Sequence, residues 1–365
     1  VTSASQVSVV IDDGTPSARP DVVWLNNGQV RLGFVPALGG RLLSVTVAGE
    51  ETLWRNAALL DDQLHPVEGH NPAPTTGKLR DWNNYGGDKT WPAPQGWSGP
   101  DEWPGPPDPI LDSGPYAWRV DRHDSGAVSL EMTSEPDPRT GLRLVRTFTV
   151  APSSSAYDLL LEAHNSSSRM VTWALWNVTQ RRAGSPDDGG VILSIEPGGE
   201  DAVPLVVGTV APEHEVLQGG RVLIRHQRVV GKLGFPYASG WIAHLAGGTT
   251  STIQFSPEVD ASYPDRGSRA EVWMETPLPR PLANLGGLRP AADIVELEVL
   301  GPLRRLSPRE SMTMRLRCAA TVGQPPDIES VHADGHMSSQ GWTSYGSGHC
   351  LGNESMSRPA HEAQR

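Results

Sequence analysis

Residues 81–95 place Trp82, Tyr85 and Trp91 among Asn83, Asn84, Asp88, Lys89 and Gln95. Flat rings stack on the apolar C–H faces of a sugar, while amides and charges bond its rim of hydroxyls, so this mixture suits a saccharide. The same residues would also serve an ordered loop that uses its tryptophans as a miniature core. The Gly, Pro and Asn content predicts a loop here and not the interior of a strand or helix. Much later, Glu296 and Glu298 alternate within an apolar run, 294–300, so on a strand they share one face. If that face lines a closed site, one carboxyl keeps its proton as an acid and the other serves as base. If it faces solvent, both are simply hydrated carboxylates. Lysine is scarce, with only Lys78, Lys89 and Lys232 in the chain. Lys89 and Lys232 both fall in candidate site segments, the second just before a strand, where a surface position is the other reading.

Such groups have to be held by β-structure. Period-two apolar alternation marks strands over 22–25, 30–35, 41–47, 52–54, 116–120, 127–132, 142–150, 156–163 and 170–178. It continues over 190–195, 222–225, 241–245, 250–255, 270–275, 294–300 and 311–318. Asn26-Asn27-Gly28-Gln29 reads as a hairpin turn. No segment forms an amphipathic helix of ten or more residues, and Gly 39 and Pro 33 would break long helices. The pattern predicts an all-β chain, a single large antiparallel β-sandwich. Residues 1–20 read as an N-terminal extension with a short strand or ragged start near 7–11. The sandwich is expected over 21–323. Within it, 56–116 loses all period and is expected to be a long irregular insertion that walls the site. Residues 324–365, rich in Ser, Gly, His and Glu, read as a disordered or loosely held tail.

The formal net charge of −12 over 365 residues disfavours nucleic acid and anionic membrane as partners. No apolar run approaches the roughly 20 residues of a membrane span. Cys318 and Cys350 lie far apart and form no metal-ligand spacing, and Glu258, Asp260 and Asp265 make only a sparse calcium candidate. No phosphate loop or dinucleotide fingerprint stands out, so neither metal nor cofactor is expected. The chain starts at Val1 without a basic-and-apolar leader, and a secreted or periplasmic setting is one expectation among others. Nothing bears on the oligomeric state.

Three stretches resemble the galactose mutarotase-like superfamily, the aldose 1-epimerases and their relatives. Val35-Pro36-Ala37-Leu38-Gly39-Gly40-Arg41-Leu42-Leu43-Ser44-Val45, followed by Leu53-Trp54, resembles the family's opening turn and strand. Residues 140–147 through Trp176-Asn177 resemble its central strands. Glu296-Leu297-Glu298-Val299-Leu300-Gly301-Pro302, followed by Leu306-Ser307-Pro308-Arg309-Glu310, is similar to its final strand pair with an L-x-P-G-E turn, with Arg309 in place of the glycine. The 84–95 segment looks like an uncharacterised bacterial branch. The resemblance covers residues 21–320 and implies the β-supersandwich fold.

It also implies a carboxylate base that takes the anomeric proton, at the position of Glu298, and a histidine acid that protonates the ring oxygen. The histidine position holds Trp173, while the asparagine of that motif survives as Asn177. A positioned acid is typically worth about 10²–10⁴-fold, so the missing one needs a replacement. Lys89, Asp88, Tyr85 and Lys232 are candidates. The expected catalytic groups are therefore Glu298, Lys89 and Asp88. The expected sugar contacts are Arg41, Asn84, Tyr85, Trp91, Gln95, Trp173, Trp176, Asn177, Lys232 and Glu296. The implied ligand is a mono- or oligosaccharide and the implied activity aldose 1-epimerase-like. The alternatives are a non-catalytic carbohydrate-binding protein and a polysaccharide lyase or hydrolase of related fold.

Overall fold

The computed structural model describes residues 6–12, 20–96 and 99–323. The expected tail, 324–365, and Trp97 lie outside the described residues. In chain order the strands begin with β1 (Ser8–Asp12), β2 (Val22–Asn26), β3 (Val30–Val35), β4 (Arg41–Val47), β5 (Glu50–Glu51), β6 (Asp88–Ala93), β7 (Ala117–Arg122) and β8 (Val128–Thr133). Next come β9 (Leu142–Val150), β10 (Ala156–Asn165), β11 (Val171–Arg182), β12 (Gly189–Ile195), β13 (Val203–Val207), β14 (Glu215–Leu217) and β15 (Arg221–Arg225). The last are β16 (Gly231–Phe235), β17 (Ala238–Ala246), β18 (Thr249–Gln254), β19 (Ala270–Glu275), β20 (Ile294–Leu300), β21 (Arg304–Leu306) and β22 (Ser311–Val322).

They form two antiparallel sheets. The twelve-stranded sheet runs β1-β2-β3-β4-β6-β11-β20-β19-β16-β13, with β5 on β4 and β21 on β11. The ten-stranded sheet runs β14-β15-β12-β17-β18-β22-β10-β9-β8-β7. Alternate residues of each strand meet between the sheets, where Phe34, Leu32, Phe148, Leu159, Leu175, Leu297 and Leu316 share one buried core. Phe34 and Phe148 meet edge to face, their centroids 4.9 Å apart. Part of the stretch read as an N-terminal extension is thus strand β1, paired along its length with β2.

The loop expectation for 81–95 is corrected. Asp88–Ala93 is strand β6, laddered to β11 with Lys89 opposite Val178 and Trp91 opposite Trp176. Sequence propensity failed here because tertiary pairing overrides it. Pro92 is tolerated because the ladder to β4 consists of the single pair Leu42 and Asp88, which leaves that edge of the strand unpaired further along. The two glycines ahead of β6 are demanded by their surroundings. Gly86 and Gly87 have φ of 88° and 77°. A Cβ on either would lie 2.3 Å from a backbone carbonyl oxygen, of Trp54 and Leu42 respectively. Apart from β6 and the short helical turn Leu79–Asp81, the expected insertion is irregular among its described residues. Arg309, where the resemblance has glycine, holds φ at 75°, so the turn keeps its left-handed shape with a side chain in it.

Candidate functional site

The register of the central strands decides which side chains share a face. Val178 of β11 lies opposite Glu298 of β20, and Gln180 opposite Glu296. Glu298 in turn faces Glu271 of β19, and Glu296 faces Trp273. Trp273 is opposite Lys232 of β16. Directly opposed residues point the same way. One face of the sheet therefore carries Lys89, Trp91, Trp176, Gln180, Glu296, Glu298, Glu271, Trp273, Glu275 and Lys232. This is the face turned away from the second sheet. Side chains of opposite parity point inward, and there Asp88 pairs with Arg146 of β9 in that second sheet.

On the outer face the charges fall into two groups. In one, Lys232 Nζ lies 2.7 Å from Glu298 Oε2 and 2.9 Å from Glu271 Oε2. The Trp176 indole N–H donates to the same Glu298 oxygen at 2.6 Å, and the Lys232 ammonium stands 4.3 Å from the Trp176 ring centroid. Oε1 of Glu298 and Oε1 of Glu271 are buried and meet no N–H donor. In the other group, Lys89 Nζ lies 3.2 Å from Glu296 Oε1, which also accepts from the Gln180 amide at 2.5 Å. The Lys89 ammonium lies 4.6 Å from the Trp91 ring centroid. Glu275 is next to this group and accepts from the Trp273 indole at 3.3 Å.

Four carboxyls thus surround two ammoniums in a nearly dry setting, and burial raises the proton affinity of Glu271, Glu275 and Glu298. Glu298 and Glu271 are 0% exposed. Burial raises the proton affinity of Glu271 well above the usual carboxyl range; Lys232 opposes the shift and the Glu298 charge adds to it. Burial also raises Glu298, against Lys232. Glu275 is pushed up to about 8 by burial and by the nearby Glu296 charge. Burial pulls the Lys89 ammonium down, against the attraction of Glu296. For Lys232, burial is outweighed by the two carboxylates, which hold its proton more firmly than usual. Glu271, Glu275 and Glu298 thus bind protons more readily than free carboxyls do.

Aromatic side chains frame it. Trp91 and Trp103 have centroids 5.1 Å apart, and Trp91 and Trp176 5.2 Å. Asp112 pins this arrangement. It accepts from the Trp82 indole at 2.8 Å and the Trp91 indole at 3.2 Å, and it pairs with Arg41 at 2.5 Å. A cavity of about 130 Å³ opens at the Glu275 end, bounded in part by Trp82, Asn83, Asn84, Arg80 and Arg289. The turn Pro264–Gly267 lies at the Lys232 end. Asp265 there is close enough to feel the lysine's charge, and Asp265 and Arg266 hold φ of 48° and 63°, costly for residues with a Cβ.

The sequence-expected residues divide accordingly. Lys89, Trp91, Trp176, Lys232, Glu296 and Glu298 come together on the outer face. Asp88, Trp173 and Asn177 have the opposite parity and point between the sheets. Asn177 donates to Asp88 at 2.8 Å, and the Trp173 indole donates to the Thr140 carbonyl at 3.0 Å. Tyr85 is fully buried in a satellite cluster with Trp24, Leu43 and Leu60. Its hydroxyl meets His70 at 3.0 Å, and burial pushes its pKa up to about 12. Arg41 is a buried brace on Asp112. Asn84 borders the cavity, and Gln95 bridges to Trp103 through the backbone. Sequence reading missed Glu271, Glu275, Gln180 and Asp112. Glu271, Trp273 and Glu275 alternate in β19 just as Glu296 and Glu298 do in β20, and that signal would have found them. Among the described residues no group of three or more His, Cys, Asp or Glu could hold a metal ion, and no helix is long and apolar enough to cross a membrane.

The two large antiparallel sheets form a β-sandwich whose fold is that of galactose mutarotase-like structures. It is similar to a galactose mutarotase-like protein from Clostridium acetobutylicum, at 9% identity over 87% of this chain and 99% of that one, with a TM-score of 0.55. It is also similar to a galactose 1-epimerase from Lactobacillus acidophilus, at 12% identity over 87% and 99% of the two chains, with a TM-score of 0.50. A TPR-domain containing protein from Parabacteroides distasonis matches at 13% identity over 90% of this chain, with a TM-score of 0.57. This chain spans only 55% of that longer one. Likenesses at such identities establish the fold. The chain belongs to the family described as domain of unknown function DUF4380, whose model matches residues 21–319. No curated protein matches it in sequence.

Proposed function

We propose that the outer face of the twelve-stranded sheet binds a saccharide, and that the protein interconverts its anomers by proton transfer, with Glu298 as base. One observation carries this reading. Glu298 is fully buried, with Oε2 anchored by Lys232 and the Trp176 indole, while Oε1 meets no N–H donor. A carboxylate held by one oxygen and meeting no N–H donor at the other keeps a lone pair there that could accept a proton from a hydroxyl. The tryptophans around it supply flat apolar surface for a sugar ring, and the fold it shares with a galactose 1-epimerase supports the same substrate class. The test is anomeric exchange by NMR across a panel of aldoses. Wild type is expected to accelerate at least one of them, and Glu298→Gln to lose at least about 10²-fold of the gain. Equal rates for the two proteins sink the assignment.

A second reading, saccharide binding without turnover, draws on Trp173. It takes the place that the resemblance gives to histidine, and it is spent on a bond inside the sandwich. Line broadening of a sugar with no gain in exchange would select it.

A further inference from the structure

The base needs an acid, and of the replacements expected from sequence, Lys89, Asp88, Tyr85 and Lys232, only Lys232 contacts Glu298, and its carboxyl neighbours hold it charged. We infer that Glu271 is the acid of this site, the carboxyl that protonates the sugar's ring oxygen while Glu298 takes the anomeric proton. This rests on the reading of the outer face as an anomer-interconverting site.

Four observations support it. Glu271 lies directly opposite Glu298 on the neighbouring strand, which puts their Cβ atoms about 5 Å apart. Both present Oε2 to the same Lys232 ammonium, at 2.9 Å and 2.7 Å. Both keep Oε1 buried and without an N–H donor, and a hydrogen bond between the two carboxyls favours the charged form of Glu298. The fourth is an asymmetry between them. Glu298 also accepts from the Trp176 indole, a donor-only group that favours the charged form, and Glu271 has no such donor. One ammonium neutralises one carboxylate, so the pair retains a proton, and the retained proton belongs on Glu271. The charged groups facing Glu271 are Lys232 on β16, Glu298 on β20 and Asp265 on the turn Pro264–Gly267. Burial is the largest cause working against its ionisation, and the Glu298 and Asp265 carboxyls add to it.

The chemistry closes without a redox partner. Oε1 of Glu298 takes the proton of the anomeric hydroxyl, and that O–H electron pair becomes the carbonyl π bond. The bond between C1 and the ring oxygen breaks, its electron pair goes to the ring oxygen, and that oxygen takes the proton of Glu271. After rotation about C1–C2 the hydroxyl returns its proton to Glu271 as it attacks either face of the carbonyl. Glu298 then gives its proton to the new anomeric oxygen.

The experiment is the same NMR exchange assay, on an aldose that wild type accelerates, with Glu271→Gln and Glu271→Asp measured from pH 5 to 9. Glu271→Gln is expected to lose about 10²-fold or more in kcat. It is also expected to lose the fall in rate at high pH, which in wild type reports ionisation of the acid. Glu271→Asp draws the carboxyl back by one methylene. It is expected to keep the high-pH limb at a lower kcat, with KM little changed, and it decides the matter if Glu271→Gln fails to fold. A Glu271→Gln protein with wild-type kcat, or a Glu271→Asp protein with wild-type kcat, overturns the inference while leaving Glu298 as base. If wild type accelerates no aldose, the proposed function and this inference both fall.

Discussion

Replacing Lys232 with methionine tests whether the outer-face carboxyls are held by that one ammonium. The methionine fills similar volume and carries no charge. In wild type, Lys232 contacts two carboxyls that are 0% exposed. Without the ammonium, neither carboxyl can stay ionised in that setting, so the folded variant has to take up a proton that wild type does not hold. A carboxyl with an unfolded pKa of about 4.3 costs about 3–4 kcal/mol to keep neutral at pH 7, and only about 1 kcal/mol at pH 5. The folded variant then binds more protons than its unfolded chain, so its stability falls as pH rises. Urea denaturation of wild type and Lys232→Met at both pH values reads the difference directly. The expected loss is about 3–4 kcal/mol at pH 7, in the range measured for breaking buried pairs. A loss that is the same at pH 5 and pH 7, or below about 1 kcal/mol at pH 7, would refute the reasoning, because the carboxyls would then have another counter-charge.

Glu275 is 4% exposed, and its carboxyl rises from 4.5 to about 8 on folding. Its contribution is present in full below the unfolded value and is lost as pH climbs through the folded one, on the order of 5 kcal/mol in all. Glu275→Gln, neutral throughout, should flatten that decline between pH 5 and pH 8.5 in urea midpoints, and an unchanged slope speaks against it. Trp176→Phe keeps the ring near Lys232 but removes the 2.6 Å donor to Glu298. Losing a hydrogen bond to a charged group should cost about 1.5–3 kcal/mol and raise the proton affinity of Glu298. Denaturation at pH 7 checks the first, and an upward shift of the acid limb of the rate profile checks the second.

How far the site was legible depends on periodicity. Glu296 and Glu298 could be read as same-face neighbours because alternation in a strand is local, and they share the outer face as read. Lys89 and Lys232 stood out by scarcity, and both lie on that face. Asp88 and Asn177 looked equally suitable in composition, yet each is one residue out of phase with Lys89 and Trp176. They bond one another between the sheets instead. Tyr85 belonged by proximity to the aromatic stretch, but Gly86 and Gly87 turn the chain just after it. Its ring goes to a satellite core. The same turn admits β6 to the sheet, which local propensity argued against.

Sequence by itself determined the all-β class, the run of strands and the pairing of two carboxyls on one strand, because side-chain direction in a strand repeats every two residues. It also determined the family resemblance. Only the tertiary structure decided which parity of β6, β11, β19 and β20 faces outward, since that follows from the register between strands far apart in the chain. The same register set Glu271 opposite Glu298 and brought Lys232 to both. Burial by neighbours from elsewhere in the chain then raised the proton affinity of these carboxyls, and no local pattern encodes that dielectric.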